Sequence, residues 1–399
     1  MERKQQTEIK VHDAMMGSGK TTYIIDFMNN NRDRKYIYIT PNLMECIRID
    51  EACPMLDFKH PSDDKDTKLK DLQRLVEDGQ NVVSTHVTFQ NFTKETLQLI
   101  IDHEYHLIID EAIEPCVEHD IKATDVNMLF DSGYVEIADD GMTLEWIKAT
   151  PPEYKSKFYY EYKLIENGNL VTFDFNNSEN DKRVFIWEMT KGFLESFMSV
   201  TILTYQFNGA PLKWYFDANK VEYTIDTETI KREDKIGHFI KVYDNKDLNS
   251  LGNHRRGFGA RSLKSKKNDL CERLSNNIYN FVNNKVKTPS CNVMWTTFKD
   301  CKKRVKGKGF TKGFVVLNQK ATNIHSHKTT LAYGLNLFMN VPIKRYFLSR
   351  GVEVNEDLWS LNEMLQWIFR SAIRNGEQIH IYVPSARMRE LLLEWIKHN

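Results

Sequence analysis

The sequence has few cysteines, and it arranges none of them as zinc-binding or disulfide-rich domains do. Its six cysteines form no C-x-x-C pair, and their spacing suits neither a zinc knuckle nor a disulfide framework. No apolar run approaches the about 20 residues that a membrane-spanning helix needs. Residues 1–10 are polar and charged, without the apolar core of a secretory signal. We therefore expect reduced cysteines, no membrane partner and a cytoplasmic protein.

The composition is that of a folded protein whose charge is unevenly divided. Hydrophobic residues make up 41% of the 399 residues and aromatics 12%, which is enough for two domains of ordinary size. The formal net charge is zero, but residues 236–399 hold 28 Lys and Arg against 12 Asp and Glu, a net of +16. The preceding residues have a net charge of −16. This asymmetry indicates a polyanionic partner for the second half, or two halves that attract each other.

Short runs of β-branched and aromatic residues alternate with helical patterns along the chain. In the first half the predicted buried strands are residues 9–14, 36–40, 81–84, 105–110 and 200–205. In the second half they are residues 238–243, 292–298, 313–317, 330–338 and 378–383. Such alternation predicts parallel sheets built from strand-helix-strand units. We expect an α/β protein with two similar units, residues 1–235 and 236–399.

Two segments depart from this alternation. Residues 133–175 contain alternating strands with Asp-Gly and Asn-Gly turns, which predict an antiparallel β insertion in the first unit. Residues 250–268 are rich in Gly, Ser, Lys and Arg, which favours a flexible, exposed basic loop that is ordered by a partner.

A phosphate-binding loop follows the first predicted strand. Residues 14–21 are Ala-Met-Met-Gly-Ser-Gly-Lys-Thr, the pattern G-x-x-x-x-G-K-[ST] with alanine in place of its first glycine. The helix that opens here adds its N–H groups and its dipole to the site. We expect Lys20 to contact the β and γ phosphates of ATP and the Thr21 hydroxyl to bind Mg²⁺. The predicted nucleotide-binding residues are Gly17, Ser18, Gly19, Lys20, Thr21 and Thr22.

An acidic pair ends the apolar strand at residues 105–110. If this strand lies next to the phosphate-loop strand, Asp110 approaches the Mg²⁺ ion, and Glu111 is free to orient the attacking water. Far along the chain, Gln366, Arg370 and Arg374 are spaced by four residues in a helical pattern that starts near residue 356. That spacing predicts one helical face, which would bring an arginine to the transferring phosphoryl group.

These motifs together resemble superfamily-two helicases of the DEAD/DEAH-like group, in the compact form encoded by phages and mobile elements. Motif I matches residues 14–21, motif II matches Asp110-Glu111, and residues 204–206 stand where motif III is found. Gln366 and Arg370 match motif VI, and Arg374 lies one position later than the family pattern has it, so either arginine is a candidate for the finger.

The resemblance also implies residues that contact a nucleic-acid strand through phosphates. Their positions along the chain follow the family order, and the basic cluster 302–304 adds charges for phosphate binding. A solvated charge run is the alternative for this cluster, and core packing is the expected use of Trp295 and Trp367. The implied nucleic-acid-binding residues are Thr40, Thr85, His86, Thr297, Lys302, Lys303, Arg304, Thr322 and Asn323.

The resemblance implies two RecA-like lobes with ATP and Mg²⁺ bound between them, and an ATP-dependent helicase or translocase that moves along a strand. Single-stranded or branched DNA is favoured over RNA, replication proteins are expected partners, and the setting is phage or mobile-element replication or recombination in the host cytoplasm. Two alternatives remain open. One is a motor that moves on duplex without separating it, and the other is a nucleic-acid-binding protein that uses ATP as a switch.

Overall fold

A computed structural model describes residues 6–64, 67–148, 157–177, 180–190, 192–230, 235–317 and 323–399. Its contacts divide the chain into two compact units. The first contains Met1–Asp13, Lys20–Thr229 and Asn340–Val354, and the second contains Ala14–Gly19, Ile230–Met339 and Asn355–Asn399. The main division lies close to the expected residue 235, but residues 340–354 leave the second unit and join the first.

The first unit contains eleven strands in its described residues. They are β1 Glu8–Asp13, β2 Lys35–Thr40, β3 Val82–Thr85, β4 Tyr105–Asp110, β5 Cys116–Glu118, β6 Val135–Ile137, β7 Leu144–Trp146, β8 Leu170–Asn177, β9 Asn180–Glu188, β10 Ser199–Thr204 and β11 Thr224–Asp226. Six of them form a parallel sheet in the order β11-β1-β10-β4-β2-β3. All five strands predicted for this half are therefore confirmed, and all belong to this sheet.

The second unit is built on a smaller parallel sheet. Its strands are β12 Ile240–Val242, β13 Val293–Thr296, β14 Thr330–Tyr333 and β15 Ile379–Tyr382, in the order β12-β15-β14-β13. Four of the five predicted strands are confirmed at reduced length. The fifth, residues 313–317, is wrong: Phe314 makes only an isolated bridge to Trp295.

Helices connect these strands. They are α1 Lys20–Asn30, α2 Leu43–Ala52, α3 Lys68–Glu77, α4 His86–Phe89, α5 Lys94–Asp102, α6 Ala123–Asp131, α7 Tyr159–Glu166, α8 Pro211–Asn219, α9 Lys246–Asn249, α10 Ala260–Lys264, α11 Leu270–Tyr279, α12 Lys302–Val305, α13 Val341–Ser349, α14 Glu356–Ile368 and α15 Ala386–His398. In the described part of the chain, none of them is long and apolar enough to cross a membrane.

The first sheet is stabilised by burial on both faces. Residues 36–40 of β2 are all buried, the pattern of a strand inside a covered parallel sheet. Helix α1 packs Ile24 and Met28 into a cluster with Tyr38 and Ile108 of the central strands. This packing holds the start of α1 close to the strand ends, because α1 follows β1 after a loop of six residues.

The antiparallel insertion is confirmed, and it is larger than residues 133–175. Strands β5, β9 and β8 form one antiparallel sheet, and β6 and β7 form a hairpin. Segment 340–354 packs within the same unit. The ring centroids of Tyr346 in α13 and Phe173 are 6.3 Å apart, and the Arg350 guanidinium donates a hydrogen bond to Glu188 Oε1 at 2.6 Å. Sequence patterns did not indicate this return of the chain.

Residues 250–268 are not the exposed loop that their composition favours. They contain a 3₁₀ turn and α10, and Phe258 and Leu263 are fully buried. The Asn336 side-chain amide donates to the carbonyls of Arg255 and Gly257, so the backbone is held by the core. Burial of Phe258 and Leu263 is enough to order this segment, although most of its residues are polar. The average composition of the segment does not reveal these two buried residues.

The cysteines and the two tryptophans behave as expected. All six cysteines are free, and five are buried. Trp295 and Trp367 are fully buried, and their indole N–H groups donate to the carbonyls of Phe310 and Val315. These residues are core, and neither tryptophan is available for stacking on a base.

Candidate functional site

The carboxyl ends of β1, β10 and β4 meet at one edge of the first sheet. The parallel register pairs Asp13 with Thr204, and Leu203 with Asp110. Strand β10 therefore lies between the phosphate-loop strand and the acidic strand, which corrects the expectation that the two are neighbours. Since ligands of α/β sheets bind beyond the carboxyl ends of the strands, this edge is the candidate site.

The phosphate loop between β1 and α1 has the backbone that its glycines allow. Gly17 and Gly19 have φ angles of 76° and 89°, a region that favours glycine. A Cβ added to Gly19 would meet no atom within 4 Å. The Ser18 hydroxyl oxygen is buried and has no hydrogen-bond partner among the described residues. Helix α1 begins at Lys20, so the N–H groups of its first turn, which have no partner within the helix, lie at the end of this loop.

Lys20 acts electrostatically on two carboxylates. Burial raises the pKa of Asp110, the nearby Glu45 raises it further, and the charges of Lys20 and Arg48 lower it. Burial also raises the pKa of Asp13, which backbone N–H groups of Phe207 and Gln206 and the Lys20 charge oppose. The charge of Lys20 thus acts on two carboxylates whose pKa values burial raises, an arrangement found at sites that bind charged ligands.

Asp110 is positioned by two neighbours. The hydroxyl of the fully buried Tyr38 donates to Asp110 Oδ2 at 3.3 Å, and His86 Nε2 lies 3.1 Å from the Asp110 backbone carbonyl. Only 9% of the Asp110 surface is exposed. Tyr38 and His86 thereby hold the Asp110 carboxylate and backbone in place at the strand end.

Glu111 has an unusual backbone conformation. Its φ is 65°, a left-handed conformation that costs a residue other than glycine about 1 kcal/mol or more. Its N–H donates to the carbonyl of Leu203 at 3.0 Å, so β10 holds the strained turn in place. Strain of this kind is concentrated at functional sites, which supports a catalytic use of Glu111.

Gln206 repeats this conformation at the end of the neighbouring strand. Its φ is 54°, and the next residue, Phe207, donates its N–H to Asp13 Oδ2 at 2.9 Å. Gln206 belongs to residues 204–206, which the sequence placed at motif III, whereas sequence reasoning missed Asp13 and Tyr38 as parts of this edge. The signal for Asp13 was available, because it is a carboxylate that ends an apolar strand directly before the phosphate loop.

These residues fit ATP with Mg²⁺. The open loop, the orphaned Ser18 hydroxyl and Lys20 suit phosphate oxygens, and Thr21 and Asp110 offer oxygen ligands. Among the described residues no group of three or more His, Cys, Asp or Glu side chains is placed to hold a metal by itself. Mg²⁺ in phosphoryl-transfer sites is bound by one or two protein oxygens together with substrate phosphates and water. Thr22, the last predicted residue of the loop, is exposed on α1.

The predicted nucleic-acid residues of the first unit differ in exposure. Thr40, at the end of β2, is fully buried, and its hydroxyl has no hydrogen-bond partner in the described part of the chain. Thr85, at the start of α4, is half-buried. His86 is buried against Asp110, so in this structure it supports the acidic strand rather than facing solvent.

The expectation of one helical face for Gln366, Arg370 and Arg374 is wrong. Helix α14 ends at Ile368, where the Ser371 hydroxyl donates to the Ile368 carbonyl at 2.6 Å. The N–H of Ala372 then donates to the backbone carbonyl of Lys328 rather than to a carbonyl of the helix. A side chain that caps a helix carbonyl ends the helix, which spacing alone does not reveal.

The three residues consequently have different surroundings. Gln366 is half-buried on α14. Arg370 is 7% exposed, and its guanidinium donates to the Val316 carbonyl at 3.2 Å. Arg374 lies in the 3₁₀ helix Ala372–Asn375 and is exposed. Arg374 is therefore the arginine that is accessible to a ligand.

The basic cluster of the second unit is also divided. Lys302 and Lys303 are exposed on α12, whereas Arg304 donates to the carbonyls of Leu263, Lys264 and Ser265. Thr297 is buried, and its hydroxyl donates to Gly334. Thr322 lies outside the described residues, as does the side chain of Asn323, whose backbone begins a 3₁₀ turn.

Solved structures with this architecture include two helicase-fold proteins. The structure titled "XPD_Helicase" matches with a TM-score of 0.50 at 10% identity, over 97% of this chain and 94% of that one. Xpd4 of S. tokodaii matches with a TM-score of 0.53 at 12% identity, over 98% and 94%. At these identities the likeness shows the fold alone, which is α/β with RecA-like lobes built on parallel sheets.

Sequence comparison gives a closer relationship. Residues 234–396 match the family described as "YonV C-terminal Rossmann-like domain". The chain is also 37% identical to the "SPbeta prophage-derived uncharacterized protein YonV" of Bacillus subtilis (strain 168). That alignment extends over 417 residues and covers 98% of this chain and 99% of the relative. Since more than a third of the residues are identical over nearly the whole of both proteins, this chain belongs to the YonV family.

Proposed function

We propose that the chain is a nucleic-acid-stimulated ATPase that couples hydrolysis to movement along a strand. The observation that carries the proposal is the carboxyl edge of the first sheet. There Lys20 begins α1 directly after a loop in which Gly17 and Gly19 have positive φ angles. The carboxylates Asp13 and Asp110 stand at the ends of β1 and β4 in the same parallel sheet. A glycine-containing loop before a lysine at a helix start, with carboxylates at strand ends of the same sheet edge, serves phosphoryl transfer better than it serves stability.

The residues divide the chemistry between them. Lys20 and the α1 N–H groups bind the phosphates, and Thr21 and Asp110 would hold the ion. Mg²⁺, when bound, would supply positive charge that stabilises the phosphate oxygens. Glu111, held by β10 in its strained turn, orients the attacking water and accepts its proton. Arg374 of the second unit stabilises negative charge on the phosphoryl group during transfer. Gln366 and Arg370 precede it in the chain and are the residues that match the family motif.

Nucleic acid is the proposed track because of the charge distribution. The second half of the chain has a net charge of +16, and Lys302 and Lys303 are exposed there. Such surfaces bind phosphate backbones with little sequence preference. The relative is described as prophage-derived, which supports a phage setting. Within that setting we propose DNA replication or recombination, with single-stranded or branched DNA as the substrate.

Strand displacement tests the motor directly. Purified protein is incubated with Mg²⁺, ATP and either a duplex with a single-stranded tail or a blunt duplex. A helicase separates the tailed duplex and needs hydrolysable ATP. Hydrolysis stimulated by blunt duplex without strand separation would favour the duplex translocase, and very slow turnover unaffected by nucleic acid would favour the ATP switch.

A further inference from the structure

A cavity of about 230 Å³ opens in the first unit between α4 and the antiparallel insertion. One wall is formed by Val87, Gln90 and Asn91, which belong to or follow α4. The other wall is formed by the end of β5, by Tyr160 of α7 and by Trp187 of β9. The cavity is smaller than the about 300–1,000 Å³ that drug-sized ligands occupy, so its occupant is a small, compact group.

The lining suits a flat, uncharged ring with polar edges. Tyr160 is 55% exposed and Val87 70% exposed, while the indole of Trp187 is nearly buried below them. The imidazole of His119 lies 5.8 Å from the Tyr160 ring at an angle of 34°. Aromatic rings held side by side in this way provide a surface on which another π system stacks.

The polar lining excludes a phosphate group as the occupant. The residues around the cavity, all of them described, include the carboxylates Glu118 and Asp120 and no lysine or arginine. Carboxylates and the side-chain amides of Gln90 and Asn91 suit the amino and carbonyl groups at the edge of a nucleobase. His119 is itself oriented, since its Nε2 lies 3.0 Å from Glu161 Oε1.

The position of the cavity connects it to the ATP site of the same unit. Helix α4 leaves the carboxyl end of β3, and β5 follows the carboxyl end of β4. Both walls therefore stand at the edge of the sheet where Lys20 and Asp110 lie. His86, the first residue of α4, contacts the Asp110 carbonyl at 3.1 Å, so the wall of the cavity touches the acidic strand.

We propose that this cavity binds one unpaired base of a nucleic-acid strand, stacked on Tyr160 and contacted at its edge by Gln90 and Asn91. The antiparallel insertion thereby acquires a role: it supplies the stacking side of a base pocket. The inference rests on the proposed function, because it states where a base of the strand binds.

Two oligonucleotides of equal length test the inference, one of mixed sequence and one whose sugars are all abasic. Affinities of the full-length protein are measured by fluorescence anisotropy. We expect Tyr160→Ala to weaken binding of the mixed sequence about five- to a hundredfold, the range for one base on an aromatic ring, and to leave the abasic strand unaffected. Tyr160→Phe keeps the ring and retains wild-type affinity.

The neighbouring Tyr159 provides the matched control, because it is 39% exposed on the same helix and does not line the cavity. Tyr159→Ala is expected to bind both strands as the wild type does. An equal loss for both strands with Tyr160→Ala, or no loss for either, overturns the base pocket; the latter is the result if a protein partner occupies the cavity. If the wild type binds neither strand, the proposed function fails together with the pocket.

Discussion

The carboxyl edge of the first sheet and residues 366–374 of the second unit both carry polar side chains that sequence patterns singled out, but the two patterns differ in how well they predict position. In the first sheet, parallel pairing from Glu8 to Asp13 and from Leu107 to Asp110 fixes where the strand ends lie. In the second unit, spacing by four residues continues past Ile368, where the helix has already ended.

The difference shows which sequence patterns predict where a side chain lies in the fold. Strand ends are located by ladder hydrogen bonds over many residues, so one polar residue after an apolar strand is placed reliably. A helical spacing is meaningful only while the helix continues, and one capping side chain such as Ser371 ends it. The arginines thus diverge, with Arg370 bonded within its unit and Arg374 in contact with solvent.

The largest expected effect comes from the edge of the first sheet. Lys20→Ala should abolish ATP turnover and leave the fold intact, because it removes a phosphate contact from a half-buried position at the start of α1. Steady-state phosphate release and circular dichroism measure the two effects. Lys10→Ala is the control, since Lys10 lies on β1 with its ammonium paired to Asp226; it should turn over ATP as the wild type does.

Glu111→Gln separates binding from hydrolysis at the same edge. The backbone turn is retained, so ATP should bind normally, while loss of the base lowers hydrolysis by up to about 10⁴-fold. Filter binding with labelled ATP and single-turnover hydrolysis measure the two steps. If ATP binding were lost altogether, Glu111 would not be the residue that handles the water.

The two arginines test the second region. Arg374→Ala should retain most ATP affinity and lose about 10³-fold in stimulated hydrolysis, as removal of an arginine finger does. Arg370→Ala should in addition lower the free energy of unfolding by about 1.5–3 kcal/mol, because its buried guanidinium bonds the Val316 carbonyl. The free energy of unfolding from urea titrations and the ATP hydrolysis rate of each folded variant distinguish the two substitutions. Equal destabilisation by both variants would contradict the assignment.

Much of the first region was predictable because its chemistry is local. The phosphate loop lies between one strand and one helix, and Asp110-Glu111 lies at the end of a strand. The elements that position each motif are therefore recognisable in the residues next to it. Tyr38 was not predictable, because its contact with Asp110 depends on which strands become neighbours. The return of residues 340–354 to the first unit depends on Arg350 meeting Glu188, 162 positions away, and no local pattern carries that information.

The smallest expected effect belongs to the basic surface. Lys302→Ala with Lys303→Ala should weaken binding of all duplex sequences alike and reduce the slope of log affinity against log salt by about two, at ~0.9 per phosphate contact. Arg304→Ala should differ, because Arg304 holds the backbone that follows α10 and its loss lowers thermal stability. An unchanged slope in the double variant would show that the two lysines contact no phosphates, as expected for a solvated charge run.

The central claim is that the edge of the first sheet hydrolyses ATP in response to nucleic acid, and its most direct test is ATP turnover by the wild type. Phosphate release is followed with Mg²⁺ and ATP alone, and then with single-stranded DNA, RNA or duplex DNA, with Lys20→Ala protein as the blank. We expect turnover that rises with added nucleic acid, most with single-stranded or branched DNA, and that is absent in the blank. Turnover that persists in well-folded Lys20→Ala protein, or that no nucleic acid changes, would contradict it.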